Sequence, residues 1–190
     1  GDAMTTAGGN VAIGYNSLSS ATIGNSNVAI GKNAMNANVA ADRNVAIGQE
    51  ALNAMTSATT LDTYNTAVGY QAGSAVTSGT ANTIIGGLAG DALTTGGDNV
   101  AIGYGALSTE DAHGGNTAIG YLALNTLNAG VNAYNVAVGF NAGYSLSTGI
   151  NNTIIGGLAG DALTTGHGNV ALGYRALTSE DGHGRNIAIE

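Results

Sequence analysis

The chain has no cysteine, no proline and no tryptophan, and only 8% of its 190 residues are charged. Without cysteine, neither a disulfide framework nor a thiolate metal site is possible. With four lysine and arginine residues and a net charge of −8, the chain lacks the basic patches that nucleic acids and anionic membranes require. It also lacks a run of about 18 apolar residues, so no membrane-spanning helix is predicted.

What the chain has in abundance is glycine, with 32 residues, and a repeated five-residue unit, seen as Asn-Val-Ala-Ile-Gly at 99–103. The unit begins at Asn10, Asn27, Asn44, Asn65, Asn82, Asn99, Asn116, Asn135, Asn152, Asn169 and Asn186. Eight of the ten steps are 17 residues long, and the other two are 21 and 19. Because a fixed period of this length is typical of stacked repeats, we predict an all-β chain that forms a parallel β-solenoid with about 17 residues per coil.

Each coil is numbered here from its asparagine as position 1. Positions 2–4 are predicted to form a short strand, because β-branched residues alternate there with a small one. We expect the aliphatic residue at position 4, such as Ile102 or Leu172, to face inward, and the small residue at position 3 to face neighbouring chains. Glycine at position 5, as at Gly103 and Gly173, permits a corner or the close approach of another backbone. A second strand is expected at positions 6–9, which include the alanine of position 8, such as Ala106.

The asparagine at position 1, as at Asn99 and Asn169, is assigned a structural role. Stacked asparagines form hydrogen-bonded ladders, and asparagine tolerates the left-handed backbone that a corner needs. The two longer steps place extra residues within 56–64 and 126–134. We expect these residues to bulge from the stack as loops, which often carry binding in solenoids.

A longer repeat lies above the 17-residue coil. Residues 82–96 recur unchanged at 152–166, an offset of 70 that equals one bulged coil and three plain ones. This indicates duplication of a four-coil cassette. We therefore predict that 1–190 is one repeat array without a second domain, and a segment of a longer fibre.

Two copies of a short Glu-Asp-x-His segment concentrate the ionisable groups of the chain. They comprise Glu110, Asp111, His113, Glu180, Asp181 and His183. If the chain has a binding site, these corners and the bulged loops are the candidates. Carboxylates beside a histidine suit a divalent cation, but a protein metal site needs three or four convergent ligands. We therefore predict solvated corners, with no metal and no cofactor.

Aromatic residues recur at position 6. They are Tyr15, Tyr70, Tyr104, Tyr121, Phe140 and Tyr174. A surface row of this kind either stacks on sugar rings or packs against its neighbours and a partner chain. We favour the second interpretation.

The Asn-Val-Ala-Ile-Gly and Asn-Thr-Ala-Ile-Gly anchors, followed by Tyr-x-Ala-Leu, resemble the head repeats of trimeric autotransporter adhesins and the repeat arrays of phage tail fibres and related trimeric fibre proteins. The resemblance extends from Asn10 to Glu190. It implies a left-handed parallel β-roll, a homotrimer around a common axis, and binding of host-surface molecules without catalysis. The period of 17 is longer than the usual spacing in adhesin heads. No binding residue is therefore transferred, and the number of strands per coil, two or three, stays open.

We expect a non-enzymatic, extracellular segment of a trimeric fibre, on a cell surface or a virion, that attaches to a host glycan or protein. The alternative is a structural shaft that supplies length and stiffness without a ligand. Neither nucleic-acid binding nor membrane insertion is expected. An acyltransferase of the trimeric left-handed-helix type, using His113 or His183, is disfavoured because hexapeptide solenoids repeat every six residues and 17 is not a multiple of six.

Overall fold

The computed structural model describes residues 4–57, 59, 61–179 and 181–190, and these residues form strands, turns and bends without a helix. The strands are β1 (Val11–Ile13), β2 (Val28–Ile30), β3 (Ala41–Asp42), β4 (Val45–Ile47), β5 (Leu61–Asp62), β6 (Thr66–Val68), β7 (Thr83–Ile85), β8 (Val100–Ile102), β9 (Thr117–Ile119), β10 (Val136–Val138), β11 (Thr153–Ile155), β12 (Val170–Leu172) and β13 (Ile187–Ile189). Within these described ranges, nothing resembles a long apolar helix of the kind that crosses a bilayer.

One parallel sheet of eleven strands runs the length of the chain and contains every strand except β3 and β5, which pair with each other. Each position lies beside the same position of the next coil, so that Val100 pairs with Thr117 and Ile102 with Ile119. The prediction of a parallel β-solenoid with about 17 residues per coil is confirmed, over about ten turns. A plain coil contributes one strand to the sheet, and the rest of it consists of turns and bends.

The strand residue that faces the core is at position 3, not position 4. Ala101 is fully buried, whereas Ile102 is partly exposed and Leu172 is 42% exposed. The predicted inward orientation of position 4, and the outward orientation of position 3, are therefore wrong. The reason lies across the coil, where positions 9 and 12 fill the interior with large buried side chains such as Leu107 and Leu93. A narrow coil has room for only a small residue opposite them.

Where position 3 carries a large residue, position 9 across the coil carries a small one, and this supports the explanation. Ile84 stands at position 3 in place of alanine, and position 9 is glycine both in its own coil and in the preceding one. A Cβ built on Gly73 would lie 2.8 Å from Cδ1 of Ile84, and one on Gly90 would lie 3.5 Å from it. The second cassette repeats the exchange with Ile154, Gly143 and Gly160. The interior therefore holds a nearly constant volume.

Positions 6–9 form consecutive turns, so the predicted second strand is wrong. Positions 7 and 9 have left-handed backbone, with φ of 51° at Leu122 and 48° at Leu124. These alternating left-handed residues turn the chain while keeping its hydrogen bonds to neighbouring coils, because Leu122 N donates to Tyr104 O at 2.9 Å and Leu124 N to Ala142 O at 3.1 Å. Position 8 points inward, and Ala106 is fully buried.

Glycine at position 5 marks the closest approach of successive coils. Gly103 has φ of 127°, and a Cβ there would lie 2.3 Å from the carbonyl oxygen of Gly120. The same clash would arise at Gly173, where the neighbouring oxygen belongs to Glu190 at 2.4 Å. The predicted close backbone approach is confirmed.

The predicted asparagine ladder is also confirmed. The buried Asn99 side chain accepts the amide of Asn116 at 3.0 Å through Oδ1, and its Nδ2 donates to His113 O at 3.2 Å. The same Oδ1-to-amide bond joins successive anchors along the stack, including Asn152, Asn169 and Asn186. The left-handed residue of this corner is the one before the asparagine, as at Asp98 with φ of 58°.

Candidate functional site

The 19-residue coil carries the clearer of the two predicted bulges. Its insertion exposes Asn128, Gly130, Val131 and Asn132, and nothing lies within 4 Å of a Cβ built on Gly130. The loop is fastened at its far end, where Asn132 Oδ1 accepts the amide of Gly114 in the preceding coil at 2.9 Å. The prediction of a bulged loop within 126–134 is confirmed.

The 21-residue coil carries the other insertion, within 56–64, of which Ala58 and Thr60 lie outside the described residues. Its end forms β5, which pairs with β3 of the preceding coil. Arg43 forms an ion pair with Asp62, and its guanidinium carbon lies 5.9 Å from the ring centroid of Tyr64. The Tyr64 hydroxyl donates to Asp62 Oδ2 at 3.0 Å. Charged groups therefore hold this insertion against the stack.

Glu110, predicted to lie in a solvated corner, is fully buried. It occupies position 12, where the neighbouring coils place Leu93 and Leu127 in the core. Its Oε1 accepts the amide of His113 at 3.2 Å, and its Oε2 accepts the amide of Ala129 at 3.2 Å. The carboxylate thus joins its own corner to the bulge of the next coil.

The bulge explains why a carboxylate replaces a core aliphatic residue. The insertion brings the amide of Ala129 against the coil that precedes it, where Glu110 accepts it. An aliphatic side chain would leave this amide without a partner, and buried polar groups are costly without one. The coil before the other insertion also has a polar residue at position 12, the fully buried Asn38. Its Oδ1 accepts the amide of Ala41 at 2.9 Å, which lies in its own coil. A polar residue at position 12 before a long coil was the sequence signal for this arrangement.

The first Glu-Asp-x-His segment does converge. One potential ligand atom each from Glu110, Asp111 and His113 lies within 4.8 Å of the others, and His113 Nδ1 is 3.3 Å from Glu110 Oε1. Carboxylate and imidazole ligands suit a divalent transition metal. However, both Glu110 oxygens already accept backbone amides, and a bound cation would compete for them. The geometry is that of a structural tie.

The second copy of the segment can be compared only in part, because Glu180 lies outside the described residues. Asp181 and His183 are exposed. The backbone carbonyl oxygen of Asp181 accepts two hydrogen bonds from Thr164, one from its backbone amide at 2.6 Å and one from its side-chain hydroxyl at 2.7 Å. These bonds join the second corner to the preceding coil through its backbone.

A different histidine, His167, has a role that sequence reasoning did not assign to it. Its Nδ1 accepts the amide of Ile150 in the preceding coil at 3.0 Å. Asn25 and Asp42 occupy the same coil position and also accept an amide of the preceding coil, at 2.8 and 2.6 Å. These acceptors form a second series of side-chain hydrogen bonds between coils, beside the asparagine ladder. The Asn, Asp and His residues that form it recur at one coil position and were visible in the sequence.

The outer face of the eleven-stranded sheet is apolar along the stack. Positions 2, 4 and 6 point outward, and their most exposed large residues include Ile13, Tyr15, Ile47, Tyr70, Ile85, Tyr104, Tyr121, Phe140, Ile155, Leu172 and Tyr174. We call this surface the outer sheet face. Neither position 2 nor position 4 is charged in any coil.

Three consecutive rings of the aromatic row on this face, Tyr104, Tyr121 and Phe140, are stacked on one another. Tyr104 and Tyr121 have centroids 5.6 Å apart, and Tyr121 and Phe140 have centroids 5.3 Å apart at an interplanar angle of 8°. Within this stack, Tyr121 has a ring on each side, and Tyr104 and Phe140 each have one face covered by Tyr121. This geometry favours packing against a partner chain over stacking on sugar rings.

Comparison of the chain with models of protein families, with curated proteins and with solved structures finds no match. The likeness to adhesin and tail-fibre repeats therefore rests on the repeated motif alone.

Proposed function

We propose that the chain is a non-enzymatic segment of a trimeric fibre, extracellular and on a cell surface or virion, that attaches to a host or another surface. The observation that carries the proposal is the outer sheet face. Ile85 and Ile155 are 38% and 37% exposed, and Tyr104 and Phe140 are 50% and 55% exposed. A contiguous exposed apolar surface of this length marks an interaction site.

The partner proposed for this face is further copies of the same chain. Successive coils are about 4.8 Å apart, so parallel copies meet with the same side-chain spacing in every coil. The outward aliphatic residues of position 4, not the alanines of position 3, form the contact. The number of three copies comes from the resemblance to trimeric fibres.

The surface for attachment then lies on the opposite, polar side, with its corners and bulged loops. Three chains present each bulge three times, and repeated weak contacts multiply a modest single-site affinity. The proposed partners are host-surface glycans or proteins.

A structural shaft without a ligand remains the second candidate, and one observation favours it. The asparagine bonds run from Asn10 to Asn186, and the glycine contacts of position 5 follow the same axis. Such continuous bonding gives length and stiffness whether or not the corners bind anything.

Fluorescently labelled chain applied to arrays of glycans and of extracellular-matrix proteins tests attachment. Saturable binding to a subset of array features supports the attachment function. Absence of binding from both arrays, with the fold intact by circular dichroism, would leave the shaft as the function.

A further inference from the structure

Two tyrosines at the insertions stand apart from the aromatic row. Tyr64 and Tyr134 each end an insertion-bearing coil, at the position just before the asparagine. Both have φ of 52°, and no other described tyrosine has positive φ. The residue before the asparagine is left-handed in the other coils too, as at Asp98 and Asn151, so the backbone belongs to the coil. What sets the two tyrosines apart is a large aromatic side chain at this corner, 56% exposed in Tyr64 and 59% exposed in Tyr134.

The sequence around the two tyrosines is related. Leu61-Asp62-Thr63-Tyr64 and Val131-Asn132-Ala133-Tyr134 align at the cassette offset of 70, although the insertions before them differ in length. The residue just before each tyrosine, Thr63 or Ala133, is fully buried. The aliphatic residue three places before each tyrosine is about half exposed, at 47% for Leu61 and 51% for Val131. Each insertion thus presents an aliphatic residue and a tyrosine together.

The Tyr134 ring is supported on one side by the stack. Its Cδ1 and Cε1 lie 2.6 and 2.8 Å from the point where a Cβ on Gly115 would sit, so the ring occupies space that glycine leaves empty. Two exposed asparagines lie nearby, Asn132 two residues earlier and Asn151 at the same corner of the next coil. Asn132 is exposed and uses Oδ1 on Gly114, and the exposed Asn151 donates its backbone amide to Ala133 O at 2.7 Å.

We propose that Tyr134, with Asn132 and Asn151 beside it, is a carbohydrate-binding platform, and that Tyr64 is a second one. The proposal rests on the attachment function and names its ligand as a neutral pyranose. An aromatic ring with an open side stacks on the apolar C–H groups of a sugar, and a few polar groups fix its orientation. Amide side chains both donate to and accept from sugar hydroxyls. No charged residue lies within 126–135, which favours a neutral sugar over a charged one.

The two platforms differ in their support. Tyr64 contacts Arg43 and Asp62, whereas the ring of Tyr134 lies over Gly115, with Asn132 and Asn151 nearby in the chain and in the next coil. They lie four coils apart, about 19 Å along the axis, so a chain of several sugar units reaches both. Tyr134 is expected to contribute more to binding of a single neutral sugar.

Saturation-transfer NMR tests the proposal with the methyl glycosides of glucose, galactose, mannose and N-acetylglucosamine. We expect transfer to the ring C–H protons of at least one glycoside. The transfer is expected to fall about tenfold in the double variant Tyr64→Asn, Tyr134→Asn. Each bound monosaccharide then loses its one aromatic stacking contact, which is worth about a factor of ten. Asparagine suits left-handed backbone, so the double variant is expected to fold.

Tyr144→Asn is the matched control, because Tyr144 is 36% exposed and its coil position is asparagine in other coils, as at Asn125. It is expected to keep full transfer. Absence of transfer from all four glycosides, or equal transfer in the double variant, would overturn the proposal. Light scattering measures the mass of the same samples. A chain with the mass of a trimer that shows no saturation transfer would reject the carbohydrate platform but not the trimer. A chain with the mass of a monomer that shows transfer would reject the trimer but not the platform.

Discussion

On the strand side of the coil, a Cβ at Gly103 would lie 2.3 Å from the carbonyl oxygen of Gly120, whereas at the insertion nothing lies within 4 Å of a Cβ at Gly130. The strand side repeats without a change of length through every described coil. The opposite corner takes two or four extra residues, which are tied to the stack by Glu110 in one coil and by the Arg43–Asp62 ion pair in the other. The stack is therefore set by one side of the coil, and the other side is free to vary.

The largest expected effect comes from a charge on the inner strand position. Ala118 is fully buried and its neighbour Thr117 points outward. Ala118→Asp places an unpaired charge in the core and is expected to lower the free energy of unfolding by about 4 kcal/mol or more. Thr117→Asp, the matched outward change, is expected to have little effect on a single chain. Chemical denaturation followed by circular dichroism measures both, and equal losses would reject the assignment of faces.

The next effect contrasts the two glycines directly. Gly103→Ala must separate the backbones of adjacent coils and is expected to cost about 3 kcal/mol. Gly130→Ala keeps only the strain of its left-handed backbone, with φ of 70°, and is expected to cost about 1 kcal/mol. Melting temperatures compare the two variants. A greater loss at Gly130 would contradict the proposed difference between the two sides.

A smaller effect is expected at Glu110, which holds the corner side together. Glu110→Leu restores the aliphatic residue of position 12 but leaves the amides of Ala129 and His113 without their acceptor, at a cost of about 1–3 kcal/mol each, partly offset by the added apolar burial. Hydrogen exchange is therefore expected to quicken at Ala129 and His113 and to stay unchanged at the strand amide of Ile102. Uniform acceleration along the stack would show that the corner is not an independent unit.

The smallest effect concerns Asp91, also on the corner side. Burial raises the pKa of its carboxyl above the usual 3.8, against hydrogen bonds from its own amide and that of Ala92, and its buried Oδ1 has no partner among the described residues. Since the folded state binds this proton more tightly, stability falls as pH rises from the unfolded pKa through the folded one. Asp91→Asn is expected to raise the melting temperature at pH 7 but not at pH 3. A gain at both values would exclude a titration effect.

Much of the fold followed from the period of 17 and from asparagine at position 1, because a stacked coil is the arrangement that brings identical residues into register. Alternation along the strand showed that positions 3 and 4 face opposite ways. It did not show which one is inside, since alanine and isoleucine are both apolar. That choice depends on the volume that Leu107 contributes from across the coil.

The turns and the site were harder to predict for different reasons. A left-handed leucine such as Leu124 contradicts its intrinsic preference, and only tertiary packing holds it there. Glu110 was recognised as a candidate but placed in solvent, because a carboxylate is rarely buried. Its alignment with Leu93 and Leu127 at position 12 was the available signal.

The proposal that position 4 faces outward and is covered by further copies is tested most directly by light scattering on the intact chain and on Ile102→Asp. The wild-type chain is expected to have the mass of three chains of 18.5 kDa. Ile102→Asp is expected to shift the population towards single chains while keeping the circular dichroism spectrum of the folded sheet. A wild-type mass of one chain, or an Ile102→Asp variant that unfolds as a single chain, would contradict the account.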